Sequence, residues 1–202
     1  MPAPRLPPVI AAIPLRGFDS AKTRLAAEMS AGDRAEIAAA VAGRVITACH
    51  AADWTALVVS SATDVIAWSR VRGVPVVPDP GSGLDAAASA GIAAAAGGPW
   101  AVIHGDLPLI TASDLAGIPE AVAAGEVVLA PSRDGGTNLI AAAGPFPFAY
   151  GPASFARHLG RAAGRSTRVV IRVGLAVELD TPTDLAAVRA HPEGRWLADF
   201  LS

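Results

Sequence analysis

Cysteine is nearly absent from this chain of 202 residues. Cys49 stands alone, which excludes an internal disulfide and any cysteine-rich metal site. Lysine is as scarce: Lys22 faces fifteen arginines, and the formal net charge of -2 leaves no broad basic surface for nucleic acid. The four histidines (His50, His104, His158 and His191) show no ligand spacing, so no zinc site is expected. Charge is missing from Ala86 to Val102, a stretch approaching membrane-spanning length. It is mostly alanine and glycine, and Gly97-Gly98-Pro99 breaks it, so it reads as a buried helix and a turn, with no membrane partner expected. Met1-Pro2-Ala3-Pro4-Arg5 lacks the regions of a signal peptide, and a soluble cytoplasmic protein is expected. No G-x-x-x-x-G-K-[ST] occurs, which disfavours a P-loop kinase, and no G-x-G-x-x-G, which weakens a dinucleotide reading. No Ser-His-Asp order is suggested, and Cys49 lies inside a predicted helix, so covalent catalysis is not expected.

What is present is an alternation of short apolar runs with helical stretches. Strands are predicted at Val9 to Ile13, Leu57 to Val59, Val74 to Val77, Ala101 to His104, Val127 to Ala130, Asn138 to Ala142, Val169 to Val173 and Ala176 to Leu179. Ser30 and Asp33 form a capping box for a helix to about Ala51, with Ile37, Val41, Val45 and Ala48 inward. Further helices are expected from Thr63-Asp64 to Arg70, from Leu84 to Ala96, after Thr111 or Ser113, and from the Gly151-Pro152-Ala153-Ser154 segment to Ala163. Thr181-Pro182-Thr183-Asp184 caps a last one. Strands alternating with helices argue for one α/β domain, 1–202, in three layers (α/β/α) around a mostly parallel sheet.

In such a sheet, ligands bind outside the C-terminal strand edges. Asp106 follows one predicted strand and Asp180 another, so their carboxylates are placed to meet there. A hard cation such as Mg2+, completed by substrate phosphates, suits that pair. Glu178, two residues before Asp180, is a third acidic neighbour. The loop after the first strand carries Arg16, Lys22 and Arg24, cationic partners for phosphate oxygens at the same edge. Thr137 follows a Gly-Gly turn, and Gly151 and Ser154 open a helix; hydroxyls and free N–H groups there make a neutral anion cradle. Arg157 and Arg161 read as surface charges, and His158 as a partly packed helix residue rather than a catalyst. Two metal-type carboxylates, a cationic loop and an anion cradle are equipment for phosphoryl or nucleotidyl transfer.

These motifs have a match. Ile13-Pro14-Leu15, Lys22-Thr23-Arg24-Leu25, Gly83-Leu84-Asp85-Ala86-Ala87, Gly105-Asp106-Leu107-Pro108, Asp134-Gly135-Gly136-Thr137-Asn138, Tyr150-Gly151-Pro152-Ala153-Ser154-Phe155 and Leu179-Asp180-Thr181-Pro182 span nearly the whole chain. It resembles the 2-phospho-L-lactate or phosphoenolpyruvate guanylyltransferase family of coenzyme F420 biosynthesis. The Gly-Asp-Leu-Pro and Asp-Thr-Pro segments are shared with nucleotidyltransferases of the Rossmann-like, glycosyltransferase-A-type fold, which the resemblance therefore implies. It also implies GMP transfer from GTP to the phosphate of a small phosphorylated carboxylic acid, with release of pyrophosphate. The family's acid-binding positions fall on Thr137, Gly151 and Ser154, and its metal-binding aspartate on Asp106; Asp180 is inferred as second ligand from the wider fold group. Arg16, Lys22 and Arg24 would surround the triphosphate. Asp85 would lie near the base, where the family usually has asparagine; Glu178 replaces a frequent aspartate. The rival readings are a molybdopterin or sugar-phosphate nucleotidyltransferase and a non-catalytic nucleotide-binding protein. Among acceptors phosphoenolpyruvate is favoured, the arginine bias suggesting a high-GC bacterium. The oligomeric state is not readable.

Overall fold

Every central strand is apolar on both sides, as a sheet covered by helices on both faces requires. The computed structural model describes residues 6–200. Its strands are β1 (Ile10–Pro14), β2 (Thr55–Val59), β3 (Val76–Val77), β4 (Pro99–Ile103), β5 (Val127–Pro131), β6 (Thr137–Ala143) and β7 (Thr167–Val169). They form one seven-stranded sheet in the order β3-β2-β1-β4-β6-β5-β7. Only β6 runs against its neighbours: it is antiparallel to β4 and β5, while the other pairings are parallel. The start of β6 therefore lies at the edge where the parallel strands end.

Alternation along the strands sorts the core. Ala11, Ile13, Val58, Ile103 and Leu139 point to one face, under helices α1 (Ala31–Ala51), α2 (Thr63–Val71) and α4 (Ile118–Ala123). Ala12, Val59, Val102 and Ile140 point to the other, under α3 (Leu84–Ala93); α5 (Ser154–Arg161) sends partly buried Phe155 into that cluster. Ile37, Val41, Val45 and Ala48 are all buried on α1, and burying each of the larger three contributes about 1.5–3 kcal/mol. The Ser30–Asp33 capping box forms, with Asp33 N donating to Ser30 Oγ at 3.2 Å. A third cluster joins Ile37 and Val41 to Leu25, Leu179, and Leu185 and Val188 of α7 (Pro182–Ala190). No helix among the described residues is long and apolar enough to cross a membrane.

Alanine and glycine in α3 have a steric reason. A Cβ on Gly91 would lie 2.5 Å from Ala12 Cβ and 2.9 Å from Val59 Cγ2. Gly91→Ala gains about 1 kcal/mol of helix propensity, but overpacking costs about 1–3 kcal/mol and neither neighbour can swing away. Net destabilisation of up to about 2 kcal/mol is expected, read as a lower urea midpoint at unchanged slope.

Three sequence expectations are corrected. The strand expected from Ala176 to Leu179 is absent: Val173–Ala176 forms the short helix α6, and Val177 to Asp180 is extended outside the sheet. The strand expected at Val169 to Val173 ends at Val169, where Arg172 donates to the carbonyls of Ser113, Asp114 and Ala116 and draws the chain off the edge. The helix after Thr111 is a 3-10 turn (Ala112–Leu115) and α4, parted by Gly117 at φ 77°.

Candidate active site

β4 ends at Ile103, and His104 N still reaches Asn138 O on β6 at 2.9 Å. Gly105 follows without a side chain because a Cβ there would lie 2.2 Å from Leu15 Cδ2. The chain thus passes directly against the exit of β1 and presents Asp106 to the loop beyond it. That loop folds into two 3-10 turns, Phe18–Ser20 and Thr23–Leu25, with Phe18 and Leu25 buried. Between them Lys22 adopts a left-handed conformation, φ 54°, a placement that costs about 1–2 kcal/mol outside glycine.

The strained backbone turns the Lys22 side chain inward. Its Nζ lies 3.2 Å from Asp106 Oδ2 and 2.8 Å from Asp180 Oδ1, with 7% of the side chain exposed. Asp180 arrives by an unexpected route, from an extended segment whose Leu179 N donates to Asp106 O at 3.1 Å. The Thr181–Asp184 capping box fixes the following turn, and Asp184 also accepts from Asp180 N and pairs with Arg133. Burial alone would lower the Lys22 pKa, but the two aspartates outweigh it and hold the ammonium above its ordinary value. Burial pushes Asp106 upward, and Lys22 and His104 more than reverse that.

His104 Nδ1 lies 3.4 Å from Glu178 Oε1. Ligand-type atoms of His104, Asp106 and Glu178 all lie within 4.8 Å of one another. Asp106 Oδ1 and His104 Nε2 are buried without a protein partner. An orphaned carboxylate oxygen beside a second carboxylate fits a divalent cation; two oxygen donors suit Mg2+, while the imidazole better suits a transition metal. Burial and then the Asp106 charge raise the Glu178 pKa despite His104.

The other half of the site sits on β6 and α5. The Asp134 carboxylate accepts from the Ser132 hydroxyl and from Gly136 N, closing the turn before Thr137. Ser154 Oγ donates to Thr137 Oγ1 at 3.3 Å, and His158 Nδ1 lies 2.9 Å from the same oxygen. Gly151 holds φ 110°, a conformation that favours glycine, and a Cβ there would press on the Arg157 guanidinium at 3.1 Å. Asp85 does not stand apart: its Oδ1 accepts from Tyr150 N at 2.7 Å. The Tyr150 ring joins the halves, its centroid 5.6 Å from His104 and 4.8 Å from His158.

The structure thus gathers Lys22, Asp106 and Asp180 in one cluster and Thr137, Ser154, Gly151 and Asp85 in an adjoining one. Arg16 and Arg24 are exposed on the Lys22 loop and join no ion pair among the described residues. Two histidines join the site without a role assigned to them from sequence. His104 stands two residues before Asp106, and His158 one helical turn after Ser154; in each case the spacing to a recognised residue was the available signal. His158 is fully buried with both nitrogens bonded, not partly packed.

The family model described as "Guanylyl transferase CofC like" matches residues 9–202. The chain belongs to this family. A relative, the phosphoenolpyruvate guanylyltransferase of Sphaerobacter thermophilus, is 33% identical over 90% of this CofC-like chain and 93% of its own. The 3-phospho-D-glycerate guanylyltransferase of Phenylobacterium zucineum is 36% identical over 95% and 94%. Among solved structures, a nucleotidyl transferase from Methanothermobacter thermautotroptrophicus superposes with a TM-score of 0.65 at 21% identity, covering 91% of this chain and 97% of that one. The fold is that of the α/β nucleotidyltransferases, and this CofC-like chain is a nucleotidyltransferase.

One pH effect follows from the buried histidine. Burial lowers the His158 pKa from 6.5 to about 4; the Arg157 and His104 charges add to this, and Asp85 opposes it. The unfolded chain binds that proton first, so stability falls as pH drops from about 6.5 towards about 4. Urea midpoints across this window should decline for the wild type, and less steeply for His158→Asn.

Proposed function

We propose that the protein transfers GMP from GTP to the phosphate of a small phosphorylated carboxylic acid and releases pyrophosphate. The observation that carries this reading is a Lys22-bridged carboxylate pair beside a neutral hydroxyl cradle, with the Tyr150 ring lying between His104 on one side and His158 on the other. The acceptor's phosphate oxygen attacks the α-phosphorus in line; the bond to the bridging oxygen breaks, and its electron pair leaves with pyrophosphate. The nucleophile is already anionic near neutral pH, so the protein supplies no general base. Its task is to hold two anions together, which is positioning plus charge neutralisation.

Arg16, Lys22 and Arg24 are assigned to the triphosphate. Asp106 and Asp180, with Glu178 beside them, would hold Mg2+, which when bound offsets charge on the phosphates. Asp85 bonds the segment carrying Gly151 and so links the nucleotide side to the acid side. Thr137, Gly151 and Ser154 receive the acid. Phosphoenolpyruvate is the acceptor expected first. The relatives that use phosphoenolpyruvate and 3-phospho-D-glycerate are nearly equidistant, and a few atoms of difference are worth only about 1–3 kcal/mol in a pocket. On this reading the product is a coenzyme F420 precursor, and the setting is cytoplasmic.

The test is pyrophosphate release from GTP and Mg2+ with phosphoenolpyruvate, 2-phospho-L-lactate and 3-phospho-D-glycerate supplied singly beside a no-acceptor control. Release with one acid supports the transfer and names the acceptor. Silence with all three, in folded protein that still binds GTP, refutes it.

A further inference from the structure

We propose that His158 is the positioning residue of the acceptor cradle: its ring joins the Thr137 hydroxyl to the backbone before Gly151, leaving Thr137 to offer its proton to the phosphorylated acid. This rests on the guanylyl-transfer reading. Ala149 N–H can only donate, and it donates to His158 Nε2 at 2.9 Å. The neutral ring therefore carries its proton on Nδ1, which donates to Thr137 Oγ1 at 2.9 Å. Ser154 Oγ donates to that same oxygen at 3.3 Å. A hydroxyl has two lone pairs and one proton. Both lone pairs are engaged, so the Thr137 proton is the group left to give, and on the guanylyl-transfer reading an oxygen of the acid accepts it.

Burial makes this arrangement consequential. His158, Thr137 and Ser154 are 0%, 1% and 2% exposed, so no solvent water substitutes for a lost partner. The acid reaches so covered a hydroxyl only as an adjoining segment shifts. The imidazole that orders Thr137 also holds Ala149, one side of that surround. Tyr150 is fixed in turn by Asp85 at its N–H and by Arg157, whose Nη2 donates to its carbonyl at 2.8 Å. A protonated ring would set Nε2–H against Ala149 N–H, and the depressed His158 pKa keeps the neutral form through the physiological range.

Two substitutions separate the arms. His158→Asn keeps a donor near the Nδ1 position and loses the Ala149 acceptor; His158→Gln reaches toward Ala149 and loses the donor to Thr137. With phosphoenolpyruvate, or whichever acid the wild type uses, His158→Gln should raise the acid KM about tenfold or more, as removal of a buried hydrogen bond does. The GTP KM should stay within about twofold. His158→Asn should recover part of the loss. In a Thr137→Val background His158→Gln should add little, because both changes remove one interaction. Ring 15N spectra of the wild type should show the Nδ1–H tautomer. An Nε2–H tautomer, equal rises in both KM values, or full additivity with Thr137→Val would overturn the proposal while wild-type transfer stands. Absence of wild-type transfer with every acid would instead remove the reading beneath it, and the proposal with it.

Discussion

Asp106→Asn is expected to reduce GMP transfer by about a thousandfold while the protein remains folded. The substitution keeps the shape and removes the charge. In the native site Asp106 gives one oxygen to Lys22 and keeps the other buried and unpartnered, so it can neutralise the ammonium and hold a cation together. Asparagine does neither well. Its effect on folding should be small, because Lys22 retains Asp180 at 2.8 Å and no ammonium is left alone. Circular dichroism and urea midpoints near those of the wild type, with pyrophosphate release close to background, is the expected pair of results. Asp106→Glu separates charge from position: it keeps the carboxylate but displaces it by a methylene, and a misplacement of about 1 Å can cost about a hundredfold. Near-normal turnover by Asp106→Asn would sink the assignment of Asp106 to the reaction.

Lys22→Met should be the second most damaging change, and it should harm both stability and rate. Without the ammonium, Asp106 and Asp180 repel, and Asp106 loses the largest influence holding its pKa down. Breaking a buried pair costs about 3–5 kcal/mol, but Asp180 is 42% exposed, so a loss of about 2 kcal/mol is expected after allowing for solvent screening. Turnover should fall about a hundredfold or more, as when one preorganised partner of the transition-state charge is removed. The distinguishing sign lies in the thermal midpoint with and without divalent cation. Mg2+ should restore more stability to Lys22→Met than it adds to the wild type, since a cation then takes up the charge that the ammonium neutralised. Equal Mg2+ responses in the two proteins would argue that Lys22 and the cation do not share those carboxylates. Lys22→Arg should not rescue, because a planar guanidinium does not fit a gap set for a compact ammonium.

Local chemistry made part of this legible in sequence. Ser30 with Asp33 set the start of α1, and Thr181 with Asp184 that of α7, because a capping box is decided within four residues. Asp180 shows how far such reading extends. Val177-Glu178-Leu179 alternates as a strand does, yet no strand among the described residues pairs with it; the bond from Leu179 to Asp106 and the Asp184 carboxylate on Asp180 N do the placing. The carboxylate lands beside Asp106 as the motif pattern implied, by a different backbone. The direction of β6 was not legible, since no residue within a strand fixes whether it runs with or against its partner. That direction brings Thr137 to the functional edge. In sequence His158 reads as helix packing because its partners, Thr137 and Ala149, lie 21 and 9 residues away.

Lys22 has one more consequence, arising from its solitude. A lysine-specific endoprotease has a single bond to cut in this chain, between Lys22 and Thr23. To be cut, the side chain must leave Asp106 and Asp180 and enter the protease's own pocket. Appearance of two fragments on a gel therefore times the opening of the loop after β1. Nucleotide or metal that changes that opening should register as a change in the rate of one cleavage.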